Sequence, residues 1–328
     1  MAIGRSGKAC SSRANGLANK IMKIALMFSG QGAHKVGMGK DLYESSSAAR
    51  DIYDRADEIL GWKLSEISFE GPEEMLTKTG ICQPALFTHG YAVFQLLNER
   101  GYLDEARIAM GLSLGEITAL AVSEVFDFET GLRIVAERGR LMQEACDSSD
   151  GSMAAVIGVD RETLAAFCQK HDVEMANLNC PGQIVISGES VKIAAAVEDG
   201  KAKGFRRVMP LNVAGAYHSR LMQPAVEPFR KFLSGIAFNE PKFKVFSTTT
   251  GEEIRGPEAI RESILKAVVS PVYWEDCMVA AARDGADKFY ELGVNGILKG
   301  QLRRVDKDLE CSSYETWEDI GSVAVECG

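Results

Sequence analysis

Gly111-Leu112-Ser113-Leu114-Gly115 is a G-x-S-x-G sequence, the pattern that sets a serine hydroxyl on a sharp turn for nucleophilic attack. The flanking glycines permit a tight turn that pushes Ser113 out of a sheet. A helix starting behind it offers free N–H groups and the positive end of a dipole. Glycine supplies 32 of the 328 residues, so the motif gains its weight from context. Residues 107–111 (RIAMG) read as a short apolar strand, and 117–125 (ITALAVSEV) have the periodicity of a buried helix. A serine nucleophile needs a base, most often histidine, and the chain has four. His34 lies near a glycine-rich turn, His89 in a helical stretch, and His171 at the end of a short helix. His218, in AGAYHS, falls on a loop where the chain passes from one expected subdomain to another, a place where clefts form. It is the expected base.

Arg138 differs from its charged neighbours. Glu129, Arg133 and Glu137 follow i, i+4 spacing, and Arg140 has Glu137 and Glu144 at −3 and +4; both arrangements predict a solvated ion-pair face. Arg138 instead has Ile134, Leu141 and Met142 at −4, +3 and +4. A guanidinium on an apolar stripe needs a partner, either an internal carboxylate or that of a ligand, which its planar fork would grip bidentately. The turn Ser29-Gly30-Gln31-Gly32-Ala33-His34 follows the first apolar run. It lacks the G-K-[ST] of a P-loop and a full G-x-G-x-x-G. The backbone N–H groups of Gln31 and Leu114 are the candidate halves of an oxyanion hole.

Strands and helices that would position these groups alternate along the chain. Residues 22–28, 107–111, 244–248 and 288–292 read as strands, and 46–60, 83–99 and 128–145 as helices, which predicts a parallel α/β sheet. The middle changes rhythm: strand 153–159, helix 161–170, strands 173–178 and 183–188, helix 190–202, strand 207–213. That order is the βαββαβ of a ferredoxin-like unit. The expected organisation is a large α/β subdomain from 22–149 and 214–312, a small insert at 150–213, and a tail at 313–328. Residues 1–21 carry Arg5, Lys8, Arg13 and Lys20, lack the apolar core of a secretory signal, and are expected to be a disordered extension.

Composition narrows the function classes. Net charge is −9, from 37 Lys and Arg against 46 Asp and Glu, the wrong sign for a nucleic-acid surface. No apolar run approaches the roughly 18 residues of a membrane-spanning helix, so no membrane partner is expected. The eight cysteines form no C-x-x-C pair and none sits at zinc-finger spacing to histidine, so no metal site is expected and reduced thiols in a cytoplasmic setting are.

Nine blocks in order (MFSGQGAH, QPALFTH, GLSLGEITAL, ERGRLMQEA, GSMAAVIG, NLNCPGQIVISG, AGAYHSRLM, SPVYW and ELGVNGILKG) resemble the malonyl-CoA:acyl carrier protein transacylase family over about residues 22–312. The resemblance implies a hydrolase-like large subdomain with a ferredoxin-like insert. It implies Ser113 as the acylated serine, His218 as base, Gln31 in the oxyanion hole, Arg138 on the malonyl carboxylate and Asn179 near the site. The implied reaction is ping-pong transfer of malonyl from malonyl-CoA to the phosphopantetheine thiol of acyl carrier protein, for fatty acid synthesis, without cofactor or metal. Several positions depart from the family pattern. Leu112 stands where histidine is usual, Ser29 for proline, Ala33-His34 for Ser-Gln, and Tyr217 for phenylalanine. Gly293 to Gly296 replace a GPGK-like block. Ala267 stands where the family has glutamine, whose backbone carbonyl orients the histidine.

A transferase for another extender unit in polyketide synthesis, a serine hydrolase and a non-catalytic interaction protein are the competing classes. A hydrolase of this type would want an acidic third member between serine and histidine in the chain and an HGGG-like loop in place of SGQG. An acidic carrier protein requires a local basic surface on this acidic chain. Lys201, Lys203, Arg206 and Arg207 offer one, with Arg206 and Arg207 the expected docking pair, and Lys299, Arg303 and Arg304 form a second cluster.

Overall fold

Five buried residues in a row, IALMF, form the first strand, β1 (Ile24–Phe28); a run without polar alternation belongs inside a sheet covered on both faces. The computed structural model describes residues 23–326, and the expected disordered extension at 1–21 lies outside them. The remaining strands are β2 (Ala106–Gly111), β3 (Gly151–Ile157), β4 (Glu174–Cys180), β5 (Gln183–Glu189), β6 (Arg207–Pro210), β7 (Lys244–Phe246), β8 (Glu253–Ile254), β9 (Lys288–Leu292) and β10 (Glu310–Tyr314). They make two sheets. The larger has the order β10-β9-β1-β2-β7-β8 and is parallel except for the β7–β8 pair; the smaller, β4-β5-β3-β6, is wholly antiparallel. The mixed α/β class and the ferredoxin-like unit both stand as the sequence predicts.

Register decides where the chemistry sits. Phe28 at the end of β1 lies opposite both Gly111 of β2 and Leu292 of β9. Three turns, carrying Gln31, Ser113 and Asn295, therefore leave the same carboxyl edge of the parallel sheet, the edge at which open α/β sheets carry ligands. The small sheet docks there through β4: Leu178 N–H donates to the Val272 carbonyl at 2.9 Å, and Val272 N–H to that of Ala176 at 2.8 Å. The helices Arg161–His171 and Ser190–Ala202 join its strands.

The structure differs from the sequence reading in places. Sheet pairing along β6 ends at Pro210, and Leu211 to Ala214 turn into a cleft. Residues 313–328, expected as a tail, contain the end of β10 and the helix Trp317–Glu326, with Tyr314, Ile320 and Val323 buried. The signal for that helix is a capping box: Asp319 N–H donates to Thr316 Oγ1 at 3.1 Å while Asp319 Oδ2 accepts from Thr316 N–H at 2.8 Å. The helices Gln223–Leu233, Pro257–Lys266, Trp274–Arg283 and Ile297–Val305 also lie beyond the elements read from the sequence. Among the described residues no helix is long and apolar enough to cross a membrane.

Candidate active site

Ser113 sits between β2 and the helix Leu114–Val122 with φ 54° and ψ −105°, a left-handed, strained conformation for a residue with a side chain. The surrounding backbone holds it there. Leu112 N–H donates to the Phe28 carbonyl at 3.0 Å, locking the turn to the neighbouring strand. A Cβ at Gly111 would lie 2.0 Å from the carbonyl carbon of Gly115, and one at Gly115 would lie 2.2 Å from the Phe28 oxygen. Both motif glycines are thus required by close backbone approach, and the hydroxyl is driven outward.

His218 comes from the other side, on the segment after β6, and is also left-handed at φ 57°. Its Nε2 lies 2.9 Å from Ser113 Oγ, and its Nδ1 lies 2.8 Å from the Ala267 carbonyl oxygen. A carbonyl only accepts, so Nδ1 carries the proton and Nε2 presents a lone pair to the serine hydroxyl. The ring is 4% exposed. Burial first, and then the charge of Arg138, push its pKa down to about 3.

Arg138 projects from the helix Phe128–Asp147 and is 2% exposed. Its Nη1 donates to Gln83 Oε1 at 2.8 Å and its Nη2 to Ser113 Oγ at 3.1 Å. Among the described residues no carboxylate lies within ion-pair distance of it. Glu116 acts on it through space while its own carboxylate accepts from Thr248 N–H at 2.9 Å. Burial lowers the guanidinium pKa to about 10, leaving it cationic near neutrality. The neighbouring charges behave as their spacing predicts: Arg140 pairs with Glu137 and Glu144, and Arg133 with Glu129.

Gln31 follows β1, and its side-chain amide donates to Thr79 Oγ1 at 3.1 Å and Tyr217 Oη at 3.4 Å. Leu114 is the first residue of its helix, so its N–H has no intrahelical acceptor. Asn179 lies on β4. Ser113, His218, Gln31, Leu114, Arg138 and Asn179 all line one cleft of about 360 Å3 between the two sheets. Arg206 and Arg207 stand outside it, exposed, on a separate recess of about 420 Å3 that Arg304 also lines. The two basic clusters, distant in sequence, therefore meet. Arg304 donates to Gln183 Oε1 at 2.7 Å, and Gln183 lines the cleft as well. The other histidines have local duties. His89 is buried against Tyr53 Oη at 3.3 Å, and His171 pairs with Asp199 at 2.8 Å. His34 lines the cleft with its Nδ1 3.2 Å from Cys82 Sγ. Among the described residues no cluster of His, Cys, Asp and Glu is arranged to hold a metal ion.

The family model described as "Acyl transferase domain" matches residues 26–315. The malonyl CoA-acyl carrier protein transacylase of Bacillus subtilis (strain 168) is 38% identical over 303 residues, 91% of this chain and 95% of that protein. The chain belongs to the malonyl-CoA:acyl carrier protein transacylase family. Solved members of this family share the architecture. The acyl-carrier-protein-S-malonyltransferase of Bartonella henselae superposes with a TM-score of 0.89 at 34% identity, covering 93% of this chain and 99% of that one. A malonyl-transacylase complex with a type II PKS acyl-carrier protein gives 0.89 at 31%, with the same coverage.

Sequence reasoning gave no role to Gln83, Thr79 or Gln301. Gln83 stood in the QPALFTH block, and its burial with one oxygen on Arg138 is a contact across 55 residues that local pattern does not register. Gln301, a polar residue on the inward face of Ile297–Val305, offered a signal of the same kind as Arg138.

Proposed function

We propose that this protein transfers a malonyl group from malonyl-CoA to the phosphopantetheine thiol of acyl carrier protein through a malonyl-serine, supplying fatty acid synthesis. The observation that carries the reading is the buried Arg138 fork, with no carboxylate within ion-pair distance among the described residues, 3.1 Å from the nucleophile. A ligand bearing a free carboxylate completes it; an acetyl group does not.

In the forward half-reaction Ser113 gives its proton to His218 Nε2 as Oγ bonds to the thioester carbon. The oxyanion forms against the N–H groups of Leu114 and Gln31. The C–S bond breaks, and the coenzyme A sulfur takes the proton from the imidazolium. In the second half the carrier thiol gives its proton to His218, its sulfur attacks the malonyl-serine, and Ser113 leaves with that proton. Arg138 Nη2 bonds the serine oxygen in the free enzyme and turns to the malonyl carboxylate when it arrives, freeing the hydroxyl.

A carbonyl rather than a carboxylate behind His218 supports transfer over the serine-hydrolase reading, which wants an acidic third member. Tyr217 beside Gln31 narrows the acyl pocket, which supports malonyl over bulkier extenders. The chemistry calls for no cofactor. Residues 22–149 and 214–312 supply the reacting groups and 150–213 the facing wall. Arg206 and Arg207 are the proposed carrier-docking pair. A cytoplasmic setting is supported by the free thiols of the six described cysteines. Incubation with malonyl-CoA followed by intact-mass measurement tests the reading. A stable malonyl adduct that carrier protein discharges is expected; rapid release of free malonate without carrier would make the protein a hydrolase.

A further inference from the structure

The two N–H groups of the oxyanion hole stand on unequal footing. Leu114 N–H is fixed by the first turn of its helix. Gln31 N–H belongs to the turn after β1, outside any helix or strand, with Gly32 next to it at φ 99°. The turn's own backbone bond, from Ala33 N–H to the Gly30 carbonyl, is long at 3.3 Å. Its far end is tied by Asn295 Nδ2, which donates to the Ala33 carbonyl at 2.8 Å. Gln31 itself is held through its side chain.

That side chain enters a ring of three polar groups. Gln31 Nε2 donates to Thr79 Oγ1 at 3.1 Å and to Tyr217 Oη at 3.4 Å, Thr79 Oγ1 donates back to Gln31 Oε1 at 3.4 Å, and the two hydroxyls bond each other. The protons close without a shortfall: the phenol gives its hydrogen to Thr79, Thr79 gives its own to Gln31 Oε1, and the amide has one N–H for each hydroxyl oxygen. Burial raises the Tyr217 phenol to about 12, so it stays a donor near neutrality. Thr79 is itself anchored, fully buried at the start of the helix Thr79–Glu99, with its N–H donating at 3.2 Å to Gln143 Oε1 on the helix that carries Arg138. Tyr217 immediately precedes His218, and Ser219 Oγ folds that segment tight by donating to the Ala216 carbonyl at 2.6 Å. The ring thus joins the oxyanion turn, the base and the arginine helix.

The family resemblance gives phenylalanine at 217, which cannot enter such a ring. Resting on the reading of Gln31 N–H as half of the oxyanion hole, we propose that the Tyr217 hydroxyl is a positioning group, which fixes the Gln31 side chain and through it the N–H that meets the developing oxyanion. Its effect falls on the transition state rather than on substrate binding, since negative charge on the thioester oxygen develops only as Ser113 attacks.

The test is single-turnover acylation of the full chain by malonyl-CoA, read by intact mass after rapid quench, which separates the limiting rate from the half-saturating concentration. In Tyr217→Phe the limiting rate is expected to fall about three- to tenfold, the worth of one neutral hydrogen bond, with half-saturation changed by less than about twofold. Gln31→Met keeps the backbone N–H and removes the side chain's bonds, so its rate should fall at least as far. The double variant should then lose no more than Gln31→Met alone, because the hydroxyl acts through that amide. Losses that multiply in the double variant overturn the proposal, as does an unchanged rate in Tyr217→Phe or a loss confined to half-saturation, which would leave Tyr217 as pocket wall alone. Thr79→Val breaks the ring at its third member and gives the readout if Tyr217→Phe fails to fold; a wild-type rate there overturns the proposal too. Wild-type enzyme acylated on Ser113 while all the variants keep its rate removes the clamp and keeps the transferase reading; wild-type enzyme that is not acylated overturns both.

Discussion

The two walls of the cleft are built by opposite methods. On the large-sheet side every reacting group is over-determined. Ser113 and His218 both hold φ values near 55°, the elbow glycines leave no room for a Cβ, and the Ser113 hydroxyl, both His218 ring nitrogens and the Arg138 fork have named partners within 3.1 Å. The small-sheet side is ordinary antiparallel structure with apolar side chains and the amide of Asn179, whose carbonyl oxygen has no hydrogen-bond partner among the described residues. The first wall stores strain to fix where bonds break; the second has no left-handed residue among the β3, β4 and β5 positions that line the cleft. Substitutions on the first should therefore fall on turnover and acyl selectivity, and those on the second and its rim on the carrier's KM.

Ser113→Ala is the most severe break. It should abolish acylation by malonyl-CoA and transfer to carrier while leaving the fold intact, read by intact mass and circular dichroism; retained labelling would move the nucleophile elsewhere. Arg138→Ala comes next. Malonyl transfer should drop by about ten- to a hundredfold or more, the value of a charge-assisted pair of roughly 1.5–3 kcal/mol, while acetyl transfer changes little; equal losses would make Arg138 structural. The same variant tests the electrostatics. In the wild type the acid limb of kcat/KM should lie well below the ordinary histidine value of 6.5, because burial and Arg138 both disfavour the imidazolium. Removing the cation favours protonation, so in Arg138→Ala, assayed with acetyl-CoA, the limb should move to higher pH.

Gly115→Ala sharpens the claim about strain. Its Cβ would meet the Phe28 oxygen at 2.2 Å, so unfolding free energy should fall by about 1–3 kcal/mol, as for overpacking, and kcat should fall with it. A soluble variant with wild-type kcat would show the elbow to be softer than its geometry. The smallest effect belongs to the rim. Arg206→Glu with Arg207→Glu should raise the carrier KM several-fold and leave acylation by malonyl-CoA near normal. Rising salt should weaken the wild-type carrier step similarly, since exposed charges are screened beyond roughly 8–10 Å. Carrier kinetics indifferent to both would move docking to Lys299 and Arg303.

Most of the first wall was legible in the sequence, and on the second only Asn179, for one physical reason. Ser113, Gln31 and Leu114 sit on turns whose strand–glycine–helix signals are local, and Arg138 breaks the periodicity of its own helix. Gln301 and Gln83 acquire meaning only from contacts made across the fold. Likewise β10 pairs along a parallel edge, with β9 more than fifteen residues earlier, and its sequence ECSSY does not read as a buried strand. The junction of Arg206, Arg207 and Arg304 needed the docking of the small sheet before two separate charge runs became one surface.

The support behind His218 has a further consequence, for inheritance. The group that orients the base is the main-chain oxygen of Ala267, placed by the end of the helix Pro257–Lys266 through the bond from Ala267 N–H to the Ser263 carbonyl at 2.8 Å. Every amino acid carries that oxygen. A codon change at 267 alters only a buried side chain, so this part of the machinery is shielded from point mutation in a way that an aspartate in the same place would not be. Alanine at 267, where the family resemblance gives glutamine, is a change of this kind: it keeps the oxygen that His218 Nδ1 bonds. Proline alone, which lacks the N–H that ties the turn to Ser263, would carry the change into the chemistry.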